Sequence, residues 1–316
     1  MFEVKRNIKT PVIIATIIIV CFTAVFVYNI RSRNNNEVSQ PWFDKKYLKP
    51  VNLIKAPNRK GGIKDPVIYA NNVVLLDVMS MYPLYEKNER QEVSIASMTK
   101  LMTALVVLDH YKLSDVIEVK QDAVTVIGSK IGLKEGEKIT VEKLLNGLLI
   151  SSGNDAAIAL SSYKQESSKF VELMNRKAKD IGMSQTKFMD PAGLNDDGKS
   201  TAYDIAILFG EALKKPEVVK VVSTSEETIS SVDGSNTHEL KNSNRLVTDE
   251  MKYDGIIGGK TGFTPDAGHS LVSAANIDGR TIVAVVINTI DISKSASAVE
   301  SKKLYDWCKN SFIFGQ

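Results

Sequence analysis

Cysteine is nearly missing from this chain: 316 residues carry two, Cys21 inside an apolar run and Cys308 close to the C-terminus. A disulfide framework is therefore not indicated. Histidine is almost as scarce. His110, His238 and His269 are scattered, with no His-Glu-x-x-His and no Cys-x-x-Cys, so no zinc-ligand spacing is offered and no metal or other cofactor is expected. Neither sign of charge dominates: 40 Lys and Arg stand against 37 Asp and Glu, a formal net charge of +3. That leaves no electrostatic case for a nucleic-acid partner. No internal repeat is visible, which argues against solenoids and propellers. The length suits one large domain or two small ones.

One long apolar run stands out. Residues 11–30, PVIIATIIIVCFTAVFVYNI, carry no charge. At about 1.5 Å per residue they can cross a hydrocarbon core of roughly 30 Å. Lys5, Arg6 and Lys9 precede the run, and Arg31 and Arg33 follow it. The balance modestly favours residues 1–10 as a cytoplasmic tail. A cleaved signal peptide would have a shorter apolar core and an A-x-A-like end, and neither is present. The expectation is a single-pass signal anchor in the cell membrane, with the rest of the protein on the extracytoplasmic side. Residues 31–64 are polar and basic, a solvated spacer able to be attracted to an anionic surface.

From residue 65 to 316 the pattern is that of a globular domain. Val73–Met79 reads as a buried strand and Leu84-Tyr85 as a second, with Tyr82-Pro83 in the connection. The run from Ser97 through Leu101, Leu105 and Leu108 predicts a helix. Further helices are expected at Val141–Ile150, after Asp155, at Phe170–Ile181 and at Thr201–Leu213, the last capped by Thr201 with Asp204 as capping-box partner. Val218-Val219 and Val221-Val222 are short apolar pairs without an assigned element. Glu227–Ile229 looks like a strand. Ser270–Ala275 and Thr281–Asn288 predict a hairpin around Asp278-Gly279. The C-terminal segment is helical, with Leu304, Trp307, Cys308 and Phe312 on one face.

Three short motifs carry chemistry. Ser97 and Lys100 are three apart, so on a helix they share a face one turn apart. A serine hydroxyl is a weak nucleophile until a base takes its proton. A lysine can be that base only if its ammonium is destabilised by burial or by a second cation. Ser152-Gly153-Asn154 stands on a loop between helical segments, and Lys260-Thr261-Gly262 brings another cation. Singly, each motif is as well explained by an ordinary cap, loop or strand end. Their order and flanks make a shared site the better explanation.

Ser-x-x-Lys, Ser-Gly-Asn and Lys-Thr-Gly in this order resemble the serine D-Ala-D-Ala carboxypeptidases, the low-molecular-mass penicillin-binding proteins. The similarity extends to Leu84-Tyr85-Glu86-Lys87-Asn88, Ile131-Gly132-Leu133-Lys134, Asn175-x-Lys177-Ala178 and Asp190-Pro191-x-Gly193-Leu194. The resemblance implies an α+β, α/β/α sandwich: an antiparallel sheet with helices on both faces and an all-helical insertion. It implies that Ser97 is the nucleophile, Lys100 the base, Ser152 a proton relay and Asn154 an orienting group. Lys260, Thr261 and Gly262 would hold the substrate carboxylate and backbone, and the N–H groups of Ser97 and Phe263 would form the oxyanion hole. The expected partners are peptidoglycan stem peptides ending in D-Ala-D-Ala, with β-lactams as covalent inhibitors. Many such proteins carry a β-rich second domain and a C-terminal anchor; neither is read here, so anchoring is expected at the N-terminus. Asp155 is expected to be a helix N-terminal acid, and His269 is given no role. A β-lactamase of the same fold, needing a deacylating acid such as Glu172, and a non-catalytic peptidoglycan-binding protein remain open alternatives.

Overall fold

The computed structural model describes residues 54–315. The expected membrane anchor at 11–30 and most of the basic segment lie outside that range. Among the described residues no helix is long and apolar enough to cross a membrane.

In chain order the elements are β1 (Asn58–Arg59), β2 (Ala70–Asp77), β3 (Tyr82–Lys87), a 3-10 turn at Ala96–Thr99 running into α1 (Lys100–His110), β4 (Val116–Glu118), α2 (Gln121–Thr125), β5 (Lys138–Thr140), α3 (Val141–Leu149), α4 (Asn154–Ser161), α5 (Ser167–Asp180), α6 (Ala202–Ala212), α7 (Pro216–Val222), β6 (Glu226–Ser230), β7 (Thr237–Lys241), β8 (Ile256–Gly262), β9 (Ser270–Ile277), β10 (Arg280–Thr289), α8 (Ala296–Ser311) and β11 (Phe312–Ile313). Five strands form one sheet in the order β3-β2-β10-β9-β8, antiparallel throughout.

The sheet is apolar on both faces, so β2 and β10 read as nearly unbroken hydrophobic runs. The register pairs Val283 with Leu76 and Val285 with Val74, while Ala284 meets Leu75 and Val286 meets Val73. The first set joins the core built with α1, α3 and α6, including Met98, Leu101, Leu105 and Phe209. The second set joins Leu304, Tyr305, Trp307 and Cys308 of α8. Helices therefore cover both faces, as the family resemblance implies. The segment between β3 and β8 is not purely helical: the ribbons β4–β5 and β6–β7 belong to it.

Several boundaries differ from expectation for local reasons. Tyr82-Pro83 lies inside β3, an edge strand where a proline costs no ladder bond, and a register shift sits opposite it at Leu75/Leu76. Met81 takes the left-handed backbone (φ 55°) that a glycine would supply in that turn. Residues 216–222 are a helix with Pro216 in its first turn, which needs no N–H from it. Phe312 opens β11 rather than closing α8. Residues ahead of 65 already pair with the C-terminal end: Asn58 lies opposite Ile313 and Arg59 opposite Phe312. Thr201 accepts from the Asp204 N–H as a cap, but the Asp204 carboxylate turns instead to Gln185 N and Thr186 Oγ1. Asp278 and Gly279 both have positive φ, fitting the tight turn between β9 and β10.

Candidate active site

The site lies where the 3-10 turn before α1 meets β8, the edge of the main sheet. The approach is close. A Cβ on Gly262 would stand 2.9 Å from Ile95 O and 3.3 Å from the Ala96 side chain. Glycine is needed here first to let the strand pack against the turn that carries Ser97, beyond the role in admitting a substrate backbone that the sequence suggests. That turn is tight: Ala96 has φ 47°, a conformation costly for a residue with a Cβ. Ser97 and Lys100 thus share a face, although the first turn is 3-10 rather than α-helical.

Lys100 is fully buried. Its Nζ lies 2.8 Å from Ser97 Oγ, 2.7 Å from Asn154 Oδ1 and 2.7 Å from Ala192 O. Burial and then the nearby Lys260 cation hold its pKa well below the ordinary lysine value, against weaker opposing fields from Asp190 and Asp155. The contacts then sort by chemistry. Asn154 Oδ1 and Ala192 O can only accept, so a neutral amine spends both N–H bonds on them. Its lone pair is left facing the Ser97 hydroxyl. Asn154 is itself held, its Nδ2 donating to Ile127 O at 2.7 Å.

Lys260 is also buried, 1% exposed, and its Nζ donates to Thr261 O at 3.1 Å. Burial lowers its pKa to about 7. Ser97, Ser152, Thr261, Gly262 and Phe263 line a cleft of about 540 Å³. Ser152 reaches it from a left-handed backbone (φ 60°). Phe263 is exposed at the rim and stacks on His269, ring centroids 4.5 Å apart, so His269 supports the cleft wall. Ser243 Oγ stands 2.5 Å from Thr261 Oγ1.

Asp190, which the sequence offers only within a flanking motif, and Thr103, to which it gives no role, support the site. Asp190 accepts from the N–H groups of Ala192, Gly193, Leu194 and Asn195, and Thr103 Oγ1 donates to Pro191 O at 2.6 Å. Together they aim the Ala192 carbonyl at Lys100. Gly193, at φ 75°, lies so near the Ser97 turn that a Cβ would meet Ala96 O at 1.9 Å. Asp155 accepts from the N–H groups of Ile131, Gly132, Leu133 and Ala156, which pins the 128–133 loop to the start of α4. It is a structural anchor. Glu172 is exposed on α5 and is not among the residues lining the cleft, whose acidic member is Glu250, paired with Arg245.

A serine beside a buried, destabilised lysine, with a second buried cation across a sheet edge, is an arrangement suited to acyl transfer through a serine ester. The chain belongs to the S11 peptidase family, D-alanyl-D-alanine carboxypeptidase, whose pattern matches residues 60–291. It is 37% identical over 227 residues to the D-alanyl-D-alanine carboxypeptidase DacF of Bacillus subtilis, covering 69% of this chain and 57% of the relative. It is 34% identical over 262 residues to DacD of Escherichia coli, covering 78% and 65%. The chain thus spans less than two thirds of the length of these relatives. Among solved structures, the Streptomyces K15 DD-transpeptidase superposes with a TM-score of 0.73 at 31% identity, over 78% of this chain and 98% of that one.

Proposed function

We propose that this protein is a serine D-Ala-D-Ala carboxypeptidase that removes the terminal D-alanine from peptidoglycan stem peptides and is acylated by penicillins. The observation that carries this reading is the Lys100 amine, buried, depressed in pKa and 2.8 Å from Ser97 Oγ. In the first step Ser97 Oγ attacks the carbonyl carbon between the two D-alanines while its proton passes to the Lys100 lone pair. Negative charge forms on the carbonyl oxygen, where the N–H groups of Ser97 and Phe263 would receive it. The C–N bond then breaks, and the proton on Lys100 reaches the leaving amine by way of Ser152. Water next attacks the serine ester, giving its proton to Lys100; the peptide leaves as the acid and Ser97 recovers its hydrogen. Asn154 keeps Lys100 aimed throughout. The Lys260 cation lies beneath the subsite for the substrate's terminal carboxylate, attracting it through space.

We further propose that residues 11–30 anchor the chain in the cell membrane, with the domain on the extracytoplasmic side. The support is the charge-free apolar run and its flanking basic residues. One experiment addresses both readings. Cells expressing the full chain are treated with a fluorescent penicillin and fractionated, and the purified chain is given a pentapeptide ending in D-Ala-D-Ala. Expected are a labelled band in the membrane fraction, released D-alanine, and loss of both signals in Ser97→Ala. A labelled Ser97→Ala chain would reject the nucleophile, and a label found only in the soluble fraction would reject the anchor.

A further inference from the structure

We propose that Asp196 is a positioning residue for acylation, one that fixes the spacing between the two segments presenting the N–H groups of Ser97 and Phe263. These segments are far apart in sequence, one entering the turn before α1 and the other leaving β8. Asp196 holds both. Its backbone carbonyl accepts from Ser94 Oγ at 3.1 Å, three residues ahead of Ser97. Its side chain accepts at 2.8 Å from the Oγ1 of Thr264, the residue after Phe263. Asp196 itself lies outside the three motifs.

Each end of this bracket is fixed by its own contacts. Ser94 is buried, and its hydroxyl accepts from Lys199 Nζ at 2.8 Å, which leaves its one proton for Asp196 O. The Thr264 hydroxyl accepts from Ala267 N, and Gly268 N donates to Thr264 O, so the turn after β8 is closed on itself. The one hydroxyl proton of Thr264 then goes to Asp196. Between the two ends, the loop is braced from within. Asn195 N donates to Asp190, Asp197 N to Asn195 Oδ1 and Gly198 N to Asn195 O. The same loop starts with Ala192, whose carbonyl meets Lys100 Nζ. One braced segment thus sets the base at its start and the two N–H groups at its end. Donors already in place when charge forms need no reorganisation, so such a bracket acts on the transition state rather than on the bound substrate. What it requires at 196 is an acceptor oxygen, which asparagine also has.

The proposal rests on the carboxypeptidase reading, which gives those N–H groups their role, and penicillin separates the two. Three quantities are measured on the full chain. They are the rate of Ser97 acylation by a fluorescent penicillin, kcat/KM for a pentapeptide ending in D-Ala-D-Ala, and affinity for a peptide boronic acid, whose tetrahedral adduct on Ser97 fills the oxyanion position. Asp196→Ala should lower all three about tenfold, less than the roughly 10²–10³-fold cost of losing an oxyanion donor outright. Noncovalent binding of the pentapeptide, read in the Ser97→Ala background, should not change. Asp196→Asn should keep most of the rate. Thr264→Val should match Asp196→Ala, and the double variant should lose no more than either. Thr264→Val leaves the 190–198 loop unaltered and carries the test if Asp196→Ala does not fold. Unchanged acylation in the single variants overturns the proposal. So does a loss confined to noncovalent binding, an additive loss in the double variant, or an Asp196→Asn chain as slow as Asp196→Ala. If the peptide is not cleaved but penicillin and boronic acid show the tenfold loss, the carboxypeptidase reading fails and the bracket stands. If Ser97 takes neither, both fail.

Discussion

At Lys100 the decisive quantity is the number of protons on one nitrogen. Three oxygens surround it, and two of them can only accept. The protonated amine would satisfy all three and attack nothing. The neutral amine leaves its lone pair for Ser97. Activity should therefore rise with pH as Lys100 loses its proton, and burial together with the Lys260 cation brings that limb down from the ordinary lysine range. It should fall again as Lys260 loses its charge, about pH 7 in the free enzyme. A bound carboxylate favours the Lys260 ammonium, so the falling limb of kcat should lie at higher pH than that of kcat/KM. Matching falling limbs in the two profiles would show that Lys260 does not sense the substrate. Lys100→Arg cannot deprotonate and should lose about 10²–10⁴-fold in acylation rate, the range for a positioned general base.

The next scale is the turn and the strand end that hold these side chains. Gly193 and Gly262 both sit where a backbone approaches the Ser97 turn, from the 190–194 loop and from β8. Gly193→Ala combines a left-handed φ of 75° with a Cβ placed 1.9 Å from Ala96 O, so either the loop or the Ser97 turn must move. The backbone strain alone costs roughly 1–3 kcal/mol. Acylation by penicillin should fall further than this stability loss explains, because the Ala192 carbonyl moves with the loop. A variant that loses thermal midpoint but keeps its acylation rate would show that the loop only supports the fold. At this scale the sequence was partly legible. The strands β2, β9 and β10 and the run through Leu101 and Leu105 announce themselves, because their apolar spacing is set by the two faces of one sheet. The left-handed backbone at Ala96 does not, since no glycine marks it. Nor does the Ala192 carbonyl, a group every residue has. Ser243 is invisible for the same kind of reason: a single serine becomes informative only when folding brings Thr261 against it. Helix α7 was missed because its apolar pairs fit a short strand equally well.

Across the whole molecule, the three motifs are separated in sequence by the largely helical segment between β3 and β8, and the fold brings them together because β8 lies at the sheet edge against the Ser97 turn. What closes the folded unit lies in the buried pair Arg280–Asp77. Arg280 donates through Nη1 to Asp77 Oδ2 at 3.2 Å and through Nη2 to Gly315 O and Lys55 O, tying β2 and β10 to both ends of the described chain. Asp77 also accepts from Met79 N and Ser80 Oγ, so its charge is not abandoned when the arginine is removed. Cutting one partner from a buried pair typically costs 3–5 kcal/mol, and the two remaining donors place Arg280→Ala near the lower end, about 3 kcal/mol. For a chain of this size that is a fall of roughly 6–12 °C in thermal midpoint. Replacing both partners by apolar side chains of similar volume should recover part of the loss, since the desolvation cost goes with the charges. None of these groups lines the cleft. The fluorescent-penicillin acylation rate of folded Arg280→Ala should therefore match that of the unaltered chain at 25 °C. A slowed acylation with an unshifted midpoint would mean that the paired ends of the chain act on the site, rather than only on the stability of the sheet that carries it.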